Sequence, residues 1–240
     1  MSGAPRAADA FRGLEEKLSR MVRIPTVCGT PRYAIARYRE TLRELFPHVF
    51  SAAEETPVGE ALLLRIPGTS DRLPYLLSGH MDVVDAREEA WSVPPFSGEL
   101  RDGRVWGRGA QDMKGAQCAL LEALDRLLAR GFHPSRAVWL YLSCDEEIGG
   151  PTTARAAAWL RERGVRFEAV IDEGGVIGEN FWGKLPGRCA MIGVAEKGSL
   201  EYRFTARAAG GHASNPPPDT AIVRLARLVA DLEENAGVVF

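Results

Sequence analysis

Four short segments of this 240-residue chain carry acidic side chains and one imidazole in settings suited to divalent cations: SGHMDVV (78–84), GRGAQDMKG (107–115), CDEEIGG (144–150) and IDEGG (171–175). Zinc accepts imidazole nitrogen and carboxylate oxygen, and two zinc ions roughly 3.5–4 Å apart can share a carboxylate and a water. Asp112 is the candidate bridge, because the flanking Gly107, Gly109 and Gly115 would let backbone come close to the ions. His80 is the candidate terminal ligand. Asp82 lies two residues further on, hence on the same side of an extended chain, where it can accept the proton of the other ring nitrogen and set the tautomer. Adjacent Glu146 and Glu147 would repel each other without a dication nearby; one can bind metal while its neighbour takes a proton from the attacking water. This is the raw material of a hydrolytic metal site.

Singly, these signals are weak. A His-x-Asp pair is common, and Asp-Glu-Glu after a strand is more often a solvated helix start than a catalytic pair. Gly107-x-Gly109 echoes a dinucleotide loop, but Asp112 stands where the third glycine belongs. No G-x-S-x-G elbow is present, so a serine hydrolase would lack its nucleophile. His48 and His133 each adjoin a proline and read as surface turn residues, and Trp182 reads as packing.

The elements that must position these residues follow from periodicity. Phe11, Leu14, Leu18, Met21 and Val22 recur at helical spacing over 9–22, and the pattern repeats over 32–46. Short apolar runs at 61–66, 73–77, 137–142 and 167–171 read as buried strands, with helices at 113–130 and 152–163. Asp102-Gly103 marks a hairpin turn, and Asn215 to Pro218 a loop after a domain boundary. Strand and helix alternation of this kind predicts an α/β fold, a mostly parallel sheet with helices on both faces. Ligands bind beyond the carboxyl ends of the strands in such sheets. His80 and Asp82 follow one strand, Asp145, Glu146 and Glu147 another, and Asp172 a third, while Asp112 lies in the turn before the 113–130 helix. All should converge on one rim.

Composition narrows the partners. With 45% hydrophobic and 26% charged residues the chain can bury a substantial core as one or two domains. A net charge of −2, with no Lys/Arg cluster interleaved with aromatics, gives no reason to expect nucleic acid or a membrane as partner. Cys28, Cys118, Cys144 and Cys189 form no CxxC pair and read as reduced, mostly core thiols. The N-terminal stretch lacks a signal-peptide core, and no apolar run approaches the roughly 18 residues of a bilayer span, so a cytoplasmic protein is expected.

Taken in order, the four motifs resemble those of the dinuclear zinc metallopeptidases that include glutamate carboxypeptidase, aminoacylase, acetylornithine deacetylase and succinyl-diaminopimelate desuccinylase. The stretches WSVPPFSGELRDGRVWGRGAQDMKG (91–115), VIDEGG (170–175), AEKGSLEYRF (195–204) and GGHASNPP (210–217) are most similar to the branch containing Gly-X carboxypeptidase and the N-acyl-amino-acid hydrolases. The resemblance spans nearly the whole chain from about residue 10. It implies a catalytic domain over 1–194 and the start of an α+β lid, or dimerisation, domain over 195–240. It implies His80, Asp112 and Asp172 around one zinc, and Asp112 and Glu147 around the other. The choice of Asp172 over Glu173 rests on it alone. Glu146 takes the part of general base, Asp82 that of the partner orienting His80, and His212 that of a lid histidine reaching a neighbouring subunit's active site to stabilise the oxyanion.

Family members run longer, so the resemblance further implies that Phe240 falls inside the lid, before a late histidine ligand and a lid arginine for the substrate carboxylate. The expected activity is hydrolysis of an amide or peptide bond next to an amino-acid carboxylate, as a carboxypeptidase or N-acyl-amino-acid amidohydrolase. Zinc is the expected metal, with cobalt or manganese as alternatives. The substrate would be a small N-acyl amino acid or peptide, and the full-length protein a homodimer through the lid. Two other expectations stand beside it: a non-catalytic, metal-binding or dimerising fragment, and an aminopeptidase or desuccinylase of the same family.

Overall fold

The computed structural model describes residues 13–29, 32–181, 184–195, 198 and 201–235; Trp182 and residues 9–12 of the expected first helix lie outside them. The chain divides into two compact units, Met1–Val176 and Ile177–Phe240.

The first unit is built on a five-stranded sheet ordered β1-β2-β6-β3-β7. Its strands are β1 (Glu54–Val58), β2 (Ala61–Ile66), β3 (Tyr75–His80), β6 (Val138–Ser143) and β7 (Ala169–Ile171). β3 runs parallel to both β6 and β7, β2 runs antiparallel to β6, and β1 antiparallel to β2. Four strands therefore point one way and β2 the other, the mostly parallel sheet that strand and helix alternation predicts. β4 (Glu99–Arg101) and β5 (Arg104–Trp106) form a separate hairpin. Its turn residues Asp102 and Gly103 have φ of 54° and 71°, the paired positive values that a two-residue hairpin loop demands.

Side-chain alternation along the two central strands builds two cores. Leu62 and Leu64 of β2 and Leu140 and Leu142 of β6 face one side. There they pack against α1 (Leu14–Val22), α2 (Arg32–Leu45), α3 (Pro47–Ala52) and α4 (Lys114–Ala129) through Met21, Tyr38, Leu42, Val49 and Leu121. Leu63, Trp139 and Tyr141 face the other side and meet Ala156 and Leu160 of α5 (Thr152–Glu162). Phe167 stands edge-on to Trp139, with centroids 6.2 Å apart. Helices thus cover both faces, which is why these strands read as continuous apolar runs. Truncating one such core leucine to alanine costs about 2–5 kcal/mol.

Several particulars differ from the sequence reading. β3 begins at Tyr75 and reaches His80, because Ser78, Gly79 and His80 pair in register with Tyr141, Leu142 and Ser143. Neither serine nor glycine favours strands, so the partner strand decides. β1, which contains Pro57, was not foreseen; it is an edge strand, where proline is tolerated. His48 sits on α3 rather than in a turn, its Nδ1 3.0 Å from Asp125 Oδ2. The four cysteines are unpaired, and of them only Cys118 is fully buried. No helix among the described residues is long and apolar enough to cross a membrane.

The second unit carries a two-stranded sheet of β8 (Val176–Phe181) with β9 (Leu185–Met191) and, later in the chain, α6 (Ala221–Asn235). Residues 215–218 lie in the loop before α6.

Candidate metal centre

Parallel pairing brings the carboxyl ends of β3, β6 and β7 to one rim, and the acidic motifs leave the sheet there. His80, the last residue of β3, is almost wholly buried, with 1% of its surface exposed. Its carbonyl is held by a relay: the Gln117 side-chain amide on α4 donates to the His80 carbonyl, and the Tyr38 hydroxyl donates to Gln117 Oε1 at 2.9 Å. The next carbonyl, of Met81, accepts the Thr26 hydroxyl at 2.6 Å.

The imidazole is oriented as a ligand. Nδ1 lies 2.9 Å from the Asp82 carbonyl oxygen and 3.6 Å from Asp82 Oδ1, so Nδ1 keeps its proton and Nε2 is the nitrogen left to face a metal. Around Nε2 stand Asp112 Oδ1 at 3.1 Å, Glu173 Oε1 at 3.3 Å and Glu146 Oε2 at 3.9 Å. His80, Asp112 and Glu173 offer donor atoms all within 4.8 Å of one another. Zinc bonds of 2.0–2.2 Å in tetrahedral geometry set ligand atoms about 3.4 Å apart, so the two shortest separations match a shared cation.

The electrostatics favour the same occupant. Burial, then the Asp112 charge, raises the Glu147 carboxyl above its usual range; burial raises Glu173 too, with Asp112 and Glu146 adding to it against the pull of His80. Burial lowers the His80 pKa, but the Asp82 carboxylate and carbonyl together with the Glu173 charge outweigh it and raise it to about 10. A nest of mutually repelling carboxylates around one imidazole fits a divalent cation, which would relieve the repulsion and displace the ring proton.

Asp82 has a second task. It is buried, and its two oxygens accept the backbone N–H groups of Glu146 at 3.2 Å and Glu147 at 3.1 Å, fastening the loop after β6 to the end of β3. Asp145 points away and accepts Thr152 N–H at 3.2 Å, fixing the start of α5. Adjacent residues of one acidic run are thereby sorted: Asp145 is structural, whereas Glu146 faces His80 and Glu147 lines a cavity with Asp112.

Asp112 stands just before α4, and the Asp112–Met113 peptide is cis. The glycines around it serve packing rather than approach to ions. A Cβ on Gly107 would lie 2.4 Å from Val22 Cγ1 and 2.8 Å from the Pro95 oxygen, and one on Gly115 would lie 2.3 Å from the Ala110 oxygen. The loop is thus folded tightly onto α1 and itself. Lys114 completes the anchor: its buried amine donates to the Met21 and Ile24 carbonyls at 3.2 and 2.7 Å, and burial lowers its pKa to about 7.

His80, Asp82, Asp112, Glu146 and Glu147 therefore meet as the sequence suggests. Asp172 lies on the same loop but outside the gathered set; its carboxylate accepts the Glu173 N–H at 2.9 Å, and Glu173 is the residue facing His80. Only the adjacency of two acids after a strand signalled Glu173. No motif marks Gln117 or Thr26, although a glutamine on the buried face of α4 is the signal a main-chain clamp leaves. His212 belongs to the second unit, where its Nδ1 meets Ser214 Oγ at 2.8 Å in an exposed turn.

Comparison with known proteins identifies the family and the fold. The chain is 39% identical over 229 residues to an N-fatty-acyl-amino acid synthase/hydrolase of Homo sapiens, covering 92% of this chain and 46% of that protein. It is 35% identical over 251 residues to an uncharacterized carboxypeptidase of Schizosaccharomyces pombe, covering 97% and 41%. The chain spans about half the length of the curated relatives it matches. Among solved structures, an M20 family metallo-carboxypeptidase from Sulfolobus solfataricus aligns with TM-score 0.57 at 22% identity, over 69% of this chain and 40% of that one. Human carnosine dipeptidase 1 aligns with TM-score 0.58 at 19% identity over the same shares, and both likenesses bear on the fold. The sequence model described as peptidase family M20/M25/M40 matches residues 76–235, a span holding every motif above, and the chain belongs to that family.

Proposed function

We propose that the protein is a metal-dependent hydrolase of amide bonds adjacent to an amino-acid carboxylate, acting on small N-acyl amino acids or peptides, with zinc as the working metal. The observation that carries this reading is the convergence of His80 Nε2, Asp112 and Glu173 within 4.8 Å, with Glu146 beside them. Family membership and this donor set favour a hydrolase over the non-catalytic reading.

His80, Asp112 and one carboxylate of the Asp172-Glu173 pair would hold one cation, and Asp112 with Glu147 would contribute to a second. Divalent cations held there supply Lewis-acid polarisation of the scissile carbonyl and make a water acidic enough to attack near neutral pH. Glu146 takes the proton from the attacking water and delivers it to the leaving amine. Asp82 keeps the His80 tautomer and the position of Glu146 through the loop it holds. The wider proposal is a cytoplasmic homodimer in which residues 195–240 begin a lid and His212 serves a neighbouring subunit's oxyanion.

The test is Glu146→Ala assayed on a panel of N-acyl amino acids and dipeptides, with metal content measured alongside. Turnover should disappear while bound zinc is unchanged, and His80→Ala should lose zinc. Turnover surviving in the Glu146 variant, or stoichiometric zinc surviving in the His80 variant, would overturn the assignment.

A further inference from the structure

One stretch that resembles the family so closely, 91–115, contributes only Asp112 to the centre, and the rest of it builds a wall. Trp91, Arg104, Trp106 and Arg108 line a cavity of about 430 Å³ together with Asp112 and Glu147. The β4–β5 hairpin, which stands outside the main sheet, supplies that wall. Trp106 at its end is pinned by its own hairpin: the indole N–H donates to the Arg101 carbonyl at 3.3 Å, and the Arg101 guanidinium covers its ring at 4.5 Å.

Arg108 is the unusual member. Its guanidinium lies 5.3 Å from the Trp91 ring centroid, and no carboxylate pairs with it among the described residues. Its Nε is buried without an acceptor. A cation stacked on an indole presents its terminal N–H groups edgewise to whatever enters beside it. The cavity lining thus carries both signs, with the carboxylates of Asp112 and Glu147 and the guanidinium groups of Arg104 and Arg108, the latter stacked on Trp91. An anionic group in this cavity is attracted by Arg108 and repelled by Asp112 and Glu147.

We infer that this cavity is the subsite for a substrate group with an apolar stem ending in a carboxylate, with the stem lying on Trp91 and Trp106 and the carboxylate paired to Arg108. The subsite makes acidic, hydrocarbon-stemmed amides the preferred substrate class, and it rests on the amide-hydrolase reading only for the identity of the bond that reacts. Arg108 is then a specificity residue supplied by this unit.

The test is titration of the metal-free chain, treated with chelator, by 4-phenylbutanoate and by its neutral counterpart 4-phenylbutanamide, followed calorimetrically and by tryptophan fluorescence. Without cations the carboxylates of Asp112 and Glu147 outnumber the protonated His80, so a preference for the acid comes from a cavity guanidinium, and its loss in Arg108→Gln but not in Arg104→Gln assigns it to Arg108. A charge-assisted pair predicts that the acid binds about tenfold more tightly or better. Arg108→Gln should bring the acid down to the affinity of the amide while leaving the amide unchanged, and Trp91→Leu should weaken both. Equal binding of acid and amide to the wild type, no binding of either, a preference that survives Arg108→Gln, or equal loss of both ligands in that variant would each overturn the proposal. Because no metal is present, these outcomes do not depend on whether the protein hydrolyses amides, and loss of the hydrolase reading would leave them standing.

Discussion

Asp82 offers the sharpest test of how the centre is held. Its carboxylate accepts two main-chain N–H groups, from Glu146 at 3.2 Å and Glu147 at 3.1 Å, and stands 3.6 Å from the His80 ring. Hydrogen bonds to a charged acceptor contribute about 1.5–3 kcal/mol each, so losing both would cost about 3–6 kcal/mol. Two effects reduce this: the donors are only partly buried, so water can replace the carboxylate, and removing a buried charge recovers some desolvation energy. A net destabilisation of about 2–4 kcal/mol is therefore expected for Asp82→Ala. With a urea slope near 2 kcal/mol/M, the unfolding midpoint should fall by about 1–2 M at unchanged slope. Asp82→Asn keeps the shape but turns an amide N–H toward a backbone N–H, so it should lose roughly half as much. Both variants should bind zinc about 10–100-fold more weakly in competition with a chromophoric chelator, because ring and loop lose their common anchor. A variant within about 0.5 kcal/mol of wild type, a margin typical of surface substitutions, or an unchanged zinc affinity, would refute the reasoning.

Two further predictions follow from the same geometry. In the metal-free protein the folded-state pKa of His80 is raised to about 10 from 6.5, so its contribution to stability is full below about pH 6.5 and is lost as pH rises toward 10. Zinc must displace that proton, so apparent affinity should climb by about tenfold per pH unit across the same window, and a pH-independent affinity by calorimetry between pH 7 and 9 would count against His80 as a ligand. Asp172→Ala and Glu173→Ala, compared for zinc content, decide which neighbour binds: the observed approach of Glu173 to His80 predicts the larger loss for Glu173→Ala, whereas the resemblance predicts it for Asp172→Ala.

What could be read from the chain alone was whatever depends on local pattern. Buried runs such as ALLLRI and VWLYLS announce strands covered on both faces, and the structure finds β2 and β6 there with alternate residues in two cores. The Asp102-Gly103 turn and the helices carrying Cys118, Leu121 and Leu160 were legible for the same reason: turn chemistry and periodicity need no partner. The order of the acidic motifs, each after a strand or before a helix, also sufficed to bring His80, Asp112, Glu146 and Glu147 to one rim.

Pairing partners and side-chain direction belonged to the tertiary structure. β3 reaches His80 only because β6 offers Ser143 opposite it, and β2 reverses direction because its neighbours are set by packing far along the chain. Which acid of a run turns inward was equally invisible: Asp145 and Glu146 differ by one methylene, yet one caps α5 while the other faces the imidazole. Rotating a loop by one residue exchanges such roles at no cost to local propensity. The buried Asp82 carboxylate, which selects the N–H groups of Glu146 and Glu147, removes that freedom together with the bond from Thr152 to Asp145.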